Sequence, residues 1–197
     1  MRQREIRMET RRLILDAAYA LFEEKGFKDT TMRELAARAG VGLGTIFQHF
    51  PDKAALLAES FAGDIGAEME VALAGMPEQG VRSQFGHVVQ AMFAFYAKRP
   101  RLSRELVSQV FVTGGLAGDR LRAQMEDGLE RVSGLFAAAR ARGELRPDAD
   151  CRIAALAVWS YYLTCLNLGL WEQPDGPAAW AARFDGLLAQ LLAGIAA

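Results

Sequence analysis

Residues 31–50 read TMRELAARAGVGLGTIFQHF, the pattern of two short helices hinged on a turn bracketed by glycines. Thr31-Met32-Arg33-Glu34 has the form of a capping box, in which the threonine hydroxyl takes the amide three residues on and the glutamate reaches back to the cap. Leu35, Ala36 and Ala39 supply an inward face, and Gly40 ends the helix. Gly40-Val41-Gly42 permits the sharp reversal that a helix-turn-helix requires. The second segment, about Leu43 to Phe50, offers Ile46 and Phe50 to a core before Pro51 breaks it.

A helix that short is not stable alone. Leu21, Leu35 and Ala39 are the expected partners of Ile46 and Phe50. Leu43, Thr45, Phe47, Gln48 and His49 are then left for solvent or DNA. Exposed Leu and Phe on so small a helix are costly unless they meet something. Thr and Gln can bond base edges or phosphates, Leu and Phe can touch a thymine methyl, and the second helix of such a unit enters the major groove. Gly44 lets the backbone come close to the duplex.

Working outward, an apolar stripe at Ile14, Ala17, Ala18, Leu21 and Phe22 predicts a first helix over about Thr10 to Lys25, stopped by Gly26 with Phe27 folding back. Asp52 can cap a helix over about Lys53 to Ala74. Further helices are expected over about 81–98, 102–113, 117–142, 151–172 and 178–195, separated by Gly- and Pro-containing turns. There is no strand alternation. The expected fold is all-α with about nine helices. It divides into a helix-turn-helix DNA-binding domain over 1–53, a connecting helix over about 53–74, and a ligand-binding and dimerisation domain over 75–197.

The order Phe22, Gly26-Phe27, Thr30-Thr31, Leu35-Ala36, Ala39-Gly40-Val41, Gly44 through Phe50, Lys53 and Leu56-Leu57 resembles the tetracycline-repressor (TetR) family. The resemblance covers about residues 10–60. It implies an all-helical homodimer that binds double-stranded operator DNA and releases it on binding a small-molecule effector. It also implies that Thr31 and Lys53 hold phosphates while Thr45, Phe47, Gln48 and His49 face the groove or its walls. Two residues depart from the family pattern. Gly42 stands where a capping serine is usual, and Phe47 where many members have tyrosine, so two hydroxyls that could bond phosphate are missing. The arginine-rich arm, Arg2 to Arg12, can make up backbone affinity. The DNA-binding set is thus Thr31, Gly42, Leu43, Gly44, Thr45, Phe47, Gln48, His49 and Lys53.

The charge distribution agrees in sign. Residues 1–53 carry ten basic and eight acidic side chains, the remainder 13 and 16, and five arginines fall in the first twelve residues. No paired carboxylates or nucleophile–base set points to an enzyme, so no catalytic residue is assigned. With two histidines and two cysteines in the chain, no metal site and no cofactor is expected. Cys151 and Cys165, both placed on the eighth helix, would lie about 21 Å apart and cannot form a bridge within the chain. They fit a reducing cytoplasm.

No secretory leader is expected, because residues 1–12 are charged and no apolar stretch follows in the right place. Ile153 to Trp171 carries no charge and is long enough to span a bilayer. Its Ser, Thr, Tyr, Asn and Gly residues instead suggest a helix buried on nearly all sides, so no membrane partner is expected. Large apolar side chains in the C-terminal part suggest a pocket for an apolar or aromatic effector, with His87, Met92, Tyr96, Phe111, Met125, Trp159 and Tyr162 as candidate lining residues. Leu156, Leu163, Phe184, Leu187, Leu188 and Leu191, on the last two helices, are candidates for a dimer interface. Repression is the expected mode; an activator or ligand-independent regulator is the alternative, with a membrane-associated helical protein or helical enzyme as remote ones.

Overall fold

The computed structural model describes residues 2–78, 80–112, 116–172 and 176–196; the side chains of Arg2, Glu172 and residues 109–125 are outside the description. Among the described residues there are nine α-helices: α1 (Arg2–Lys25), α2 (Met32–Ala39), α3 (Leu43–His49), α4 (Lys53–Ala74), α5 (Val81–Ala97), α6 (Pro100–Val112), α7 (Leu116–Ala141), α8 (Cys151–Glu172) and α9 (Gly176–Ile195). The chain groups into two compact units, one of residues 1–66 with 101–117, the other of 67–100 with 118–197. α6 therefore belongs with the N-terminal helices.

In the first unit the core is built from Ile14, Ala18, Leu21 and Phe22 of α1, Leu35 and Ala36 of α2, Ile46 and Phe50 at α3, and Leu56, Leu57 and Phe61 of α4. Each large side chain among these contributes about 1.5–3 kcal/mol by leaving water. α1 stops at Gly26, whose φ of 85° is left-handed, and Phe27 folds back onto Phe22 with ring centroids 5.5 Å apart. Asp52 caps α4 by accepting the Ala55 amide at 2.7 Å. α1 begins eight residues earlier than the apolar stripe predicts. Residues 2–9 are mostly strong helix formers with no breaker, but they are polar on nearly every side, and periodicity does not reveal such a segment.

In the second unit α5, α8 and α9 pack on one another. Phe85, Val89, Met92 and Phe93 of α5 meet Ala155, Val158, Cys165 and Leu166 of α8 and Trp180, Phe184 and Leu188 of α9 in one core. α8 and α9 approach closely at Gly169, where an added Cβ would stand 2.3 Å from the Trp180 ring. The stretch Cys151–Trp171 is long and apolar enough to cross a membrane, yet one face of it is the core of this unit. Cys151 and Cys165 are buried and unbridged.

Candidate nucleic-acid interface

The turn between α2 and α3 is fixed by backbone bonds. Gly40 adopts φ 68°, ψ 29°; its amide donates to the Ala37 carbonyl at 3.2 Å, and the Val41 amide donates to Ala36 at 3.0 Å. This pair of bonds closes the helix in the Schellman manner and needs a left-handed residue at Gly40. α3 then starts from Gly42, which is extended and caps with no side chain. Its carbonyl accepts the amides of Thr45 at 2.9 Å and Ile46 at 3.2 Å.

The two sides of α3 differ in burial. Ile46 is fully buried and Phe50 nearly so, while Leu43 is 38% and Phe47 48% exposed. Gly42, Gly44 and Gln48 are not buried, and Thr45 and His49 are half-buried. Along the Thr45–Gln48–His49 side runs the start of α1. Gln3, Ile6, Arg7 and Thr10 line an open groove of about 520 Å³ together with those three residues. Burial, and then the charges of Arg7 and Arg11, hold the His49 imidazole below the ordinary histidine range. Gln3, Ile6, Arg7 and Thr10 escape a motif-based reading. The Arg4, Arg7, Arg11 spacing is the available signal, since it places three cations on one stripe of a helix.

The two residues that the resemblance assigns to phosphates have partners inside the chain. The Thr31 hydroxyl accepts the Glu34 amide at 3.2 Å and donates to the Glu34 carboxylate at 2.9 Å, while the Thr31 amide donates to the same carboxylate at 2.9 Å. Lys25, then the Thr31 amide and hydroxyl, push the Glu34 carboxyl down to about 2. Thr31 thus closes a complete capping box beside a carboxylate that is ionised at neutral pH. The Lys53 ammonium donates to the carbonyls of Phe27 at 2.6 Å, Thr30 at 2.7 Å and Lys28 at 3.1 Å, and lies 4.5 Å from the Phe27 ring centroid. Its three N–H groups are all used on the turn that precedes α2. Burial lowers its pKa, with Glu105, Asp29 and Glu34 pulling the other way.

In the second unit the candidates divide. Tyr96 and Tyr162 share a hydrogen bond, and burial pushes the Tyr96 phenol up to about 12 and Tyr162 well above the ordinary tyrosine range. Phe93 stacks on Tyr162 at 5.4 Å and 4°, and the Trp159 ring is 6.0 Å from Tyr162. The Trp159 indole N–H is buried without a hydrogen-bond partner, and its ring leans on the α7 backbone where an added Cβ at Gly128 would stand 2.7 Å away. Met92 is buried in the core. His87 does not join this group; it is exposed, beside Gly75 in the turn after α4. The side chains of Phe111 and Met125 lie outside the described residues.

Of the interface candidates, Leu156 is 56% exposed and Leu163, Leu187 and Leu191 are half-buried, whereas Phe184 and Leu188 are wholly buried in the chain's own core. This corrects the expectation for those two. Phe184 and Leu188 are covered by the chain's own core, in which α9 packs on α5 and α8, whereas Leu187 and Leu191 of the same helix are only partly covered. Ile153 and Trp171, exposed on α8 at 66% and 62%, are outward apolar residues that the expected set omits.

A family model for "Bacterial regulatory proteins, tetR family" matches residues 14–60. The HTH-type transcriptional regulator AcrR of Shigella flexneri is 35% identical over 105 residues, covering 50% of this chain and 48% of that protein, so the chain spans about half of AcrR's length. The HTH-type transcriptional repressor KstR of Mycobacterium tuberculosis is 28% identical over 196 residues, covering 96% of this chain and 83% of that protein. Among solved structures, Thermus thermophilus FadR, a TetR-family transcriptional repressor in complex with lauroyl-CoA, shares the fold. Its TM-score is 0.75 at 21% identity, covering 93% of this chain and 94% of that one. A helix-turn-helix closed at Gly40 and the match over residues 14–60 show that this chain carries an N-terminal domain of the tetR family of bacterial regulatory proteins, within an all-helical fold shared with the solved regulator.

Proposed function

We propose that the chain is a cytoplasmic repressor that grips a two-fold operator as a homodimer and is released by a small apolar effector. One observation carries the DNA half: a seven-residue helix spends Ile46 on the core and turns Leu43, Phe47 and Gln48 to solvent. Such a helix has no structural use for its outer face, and its dimensions suit the major groove. The dimer is supported by the outward apolar residues of α8, Ile153, Leu156, Leu168 and Trp171. A symmetric pair presents two α3 helices to half-sites about 34 Å apart.

The effector reading rests on the aromatic group of the second unit. A buried donor with no partner, such as the Trp159 N–H, costs about 1–3 kcal/mol. A ligand carbonyl among Phe93, Tyr96 and Tyr162 would recover that energy. The lauroyl-CoA held by the Thermus thermophilus neighbour makes an acyl thioester the first compound to test. α4 starts at Lys53 in the first unit and continues into the second, and it would carry the coupling, typically about 1–3 kcal/mol.

The test is fluorescence anisotropy on duplexes selected from a random pool, followed by titration with lauroyl-CoA. Operator affinity is expected to fall about 5–150-fold on saturation, and Trp159→Phe to keep DNA affinity while losing part of that response. A monomer in sedimentation with no preference for any duplex at moderate salt would remove the DNA reading. Unchanged operator affinity at saturating lauroyl-CoA would remove the acyl reading.

A further inference from the structure

The five arginines of the first twelve residues do not share one task. Arg11 pairs with Glu59 at 2.7 Å and covers the Phe50 ring at 4.6 Å. Arg12 pairs with Glu9 at 3.2 Å. Both are occupied by groups of the first unit. Arg4 and Arg7 are exposed and form no ion pair or hydrogen bond with any described residue. They sit on α1 one turn apart, about 4.5 Å along the axis. The stripe of Arg4, Arg7 and Arg11 faces away from the carboxylates of Glu5 and Glu9, which fall on another side of the helix.

Position gives Arg7 a direction, and Arg4 lies one turn earlier on the same stripe of α1. Arg7 lines the groove shared with Thr45, Gln48 and His49, and no carboxylate lines it. The positive field beside the outer face of α3 is therefore uncompensated within the groove. α1 extends as helix about 12 Å ahead of Thr10, so the two arginines project from a helix. A flexible tail would have to be ordered on binding. Gln3, on the same side, adds an amide that can bond a phosphate or sugar oxygen.

We propose that Arg4 and Arg7 form a second DNA-contacting element, gripping the phosphates that flank each half-site and extending the footprint beyond the base pairs read by α3. This deepens the DNA-binding reading and rests on it. The attraction is Coulombic and carries no base information, so removing it weakens all duplexes alike.

The experiment compares wild type with Arg4→Gln/Arg7→Gln on a duplex selected by the wild-type protein, measuring affinity against salt and the hydroxyl-radical footprint. Each phosphate that is no longer neutralised makes the slope of log K against log salt shallower by about 0.9, so the double variant should show a slope about two units shallower per protomer. Protection should retreat at the outer edges of the site and remain at its centre. Arg4→Lys/Arg7→Lys should retain the slope, because the number of cations is kept. An unchanged slope and footprint in the glutamine variant, with its helix content intact by circular dichroism, overturns the proposal while leaving α3 as the reading element. Failure of the wild-type protein to bind any duplex would instead remove the underlying reading.

Discussion

Replacing Lys53 by methionine keeps the side-chain stem and removes the ammonium. It thereby separates two accounts of this residue. In the structure the ammonium closes on the carbonyls of Phe27, Lys28 and Thr30 at 2.6, 3.1 and 2.7 Å. Hydrogen bonds to a charged group contribute about 1.5–3 kcal/mol each. The site is half-buried, so water recovers part of the loss, and the third bond is long. With the ring contact to Phe27 adding about 0.5–1 kcal/mol, the expected destabilisation is about 2–4 kcal/mol. That corresponds to a fall in Tm of roughly 5–15 °C for a chain of this size, readable by calorimetry or urea titration. Lys53→Arg should destabilise too, because a planar fork cannot converge on three carbonyls as an ammonium does. On DNA the salt slope of Lys53→Met should match wild type. A variant as stable as wild type whose slope is about one unit shallower would show that the ammonium serves a phosphate, and would refute the reasoning.

Other perturbations test other joints. Gly40→Ala places a side chain at φ 68°; it should cost about 1–2 kcal/mol and weaken operator binding with no change in base preference, checked by urea midpoint and anisotropy. Gly169→Ala drives a Cβ into the Trp180 ring and should cost about 1–3 kcal/mol by overpacking, seen as a lowered Tm. His49 titrates below the ordinary histidine range through burial and then Arg7 and Arg11. Below the unfolded value, about pH 6.5, the unfolded chain binds more protons at this position, so its contribution to stability is present above that pH and lost as pH falls through the folded value. Nearby phosphates favour the protonated ring, so operator affinity should rise as pH drops from about 7.5 to about 5.5. His49→Gln should flatten that rise, and a flat wild-type profile would contradict it.

Legibility in the sequence followed the physics of each segment. The capping box at Thr31 and Glu34, the reversal at Gly40 and the inward pair Ile46 and Phe50 are local devices with fixed spacing, and the structure reproduces each. The first turns of α1 are legible only by propensity, since their residues alternate charge without an apolar stripe. Lys53 is the opposite case. Its acceptors are backbone carbonyls, which every residue carries, so nothing in the sequence marks the three that it meets. The stripe of α9 shows the commonest ambiguity. Spacing of 3.6 residues says that Phe184 and Leu188 are covered, but not whether the same chain or a second copy covers them.

A helix as short as α3 depends on the parts that hold it. Seven residues cannot hold α3 in register with two buried side chains alone. Its position is inherited from the Gly40 turn, from α2 through the capping box, and from the turn at residues 27–30 that Lys53 ties to the start of α4. Affinity and specificity should accordingly separate by residue. Gln48 offers an exposed amide at the outer face of α3; Gln48→Ala should relax base preference at one position by about 1–3 kcal/mol and leave the salt slope intact. Lys53 and Gly40 variants should lower affinity through the population of correctly presented α3, in equal proportion for every duplex. If Gln48→Ala instead weakened all sequences alike, base reading would have to be reassigned to the other uncovered side chains of that helix, Leu43, Thr45, Phe47 and His49.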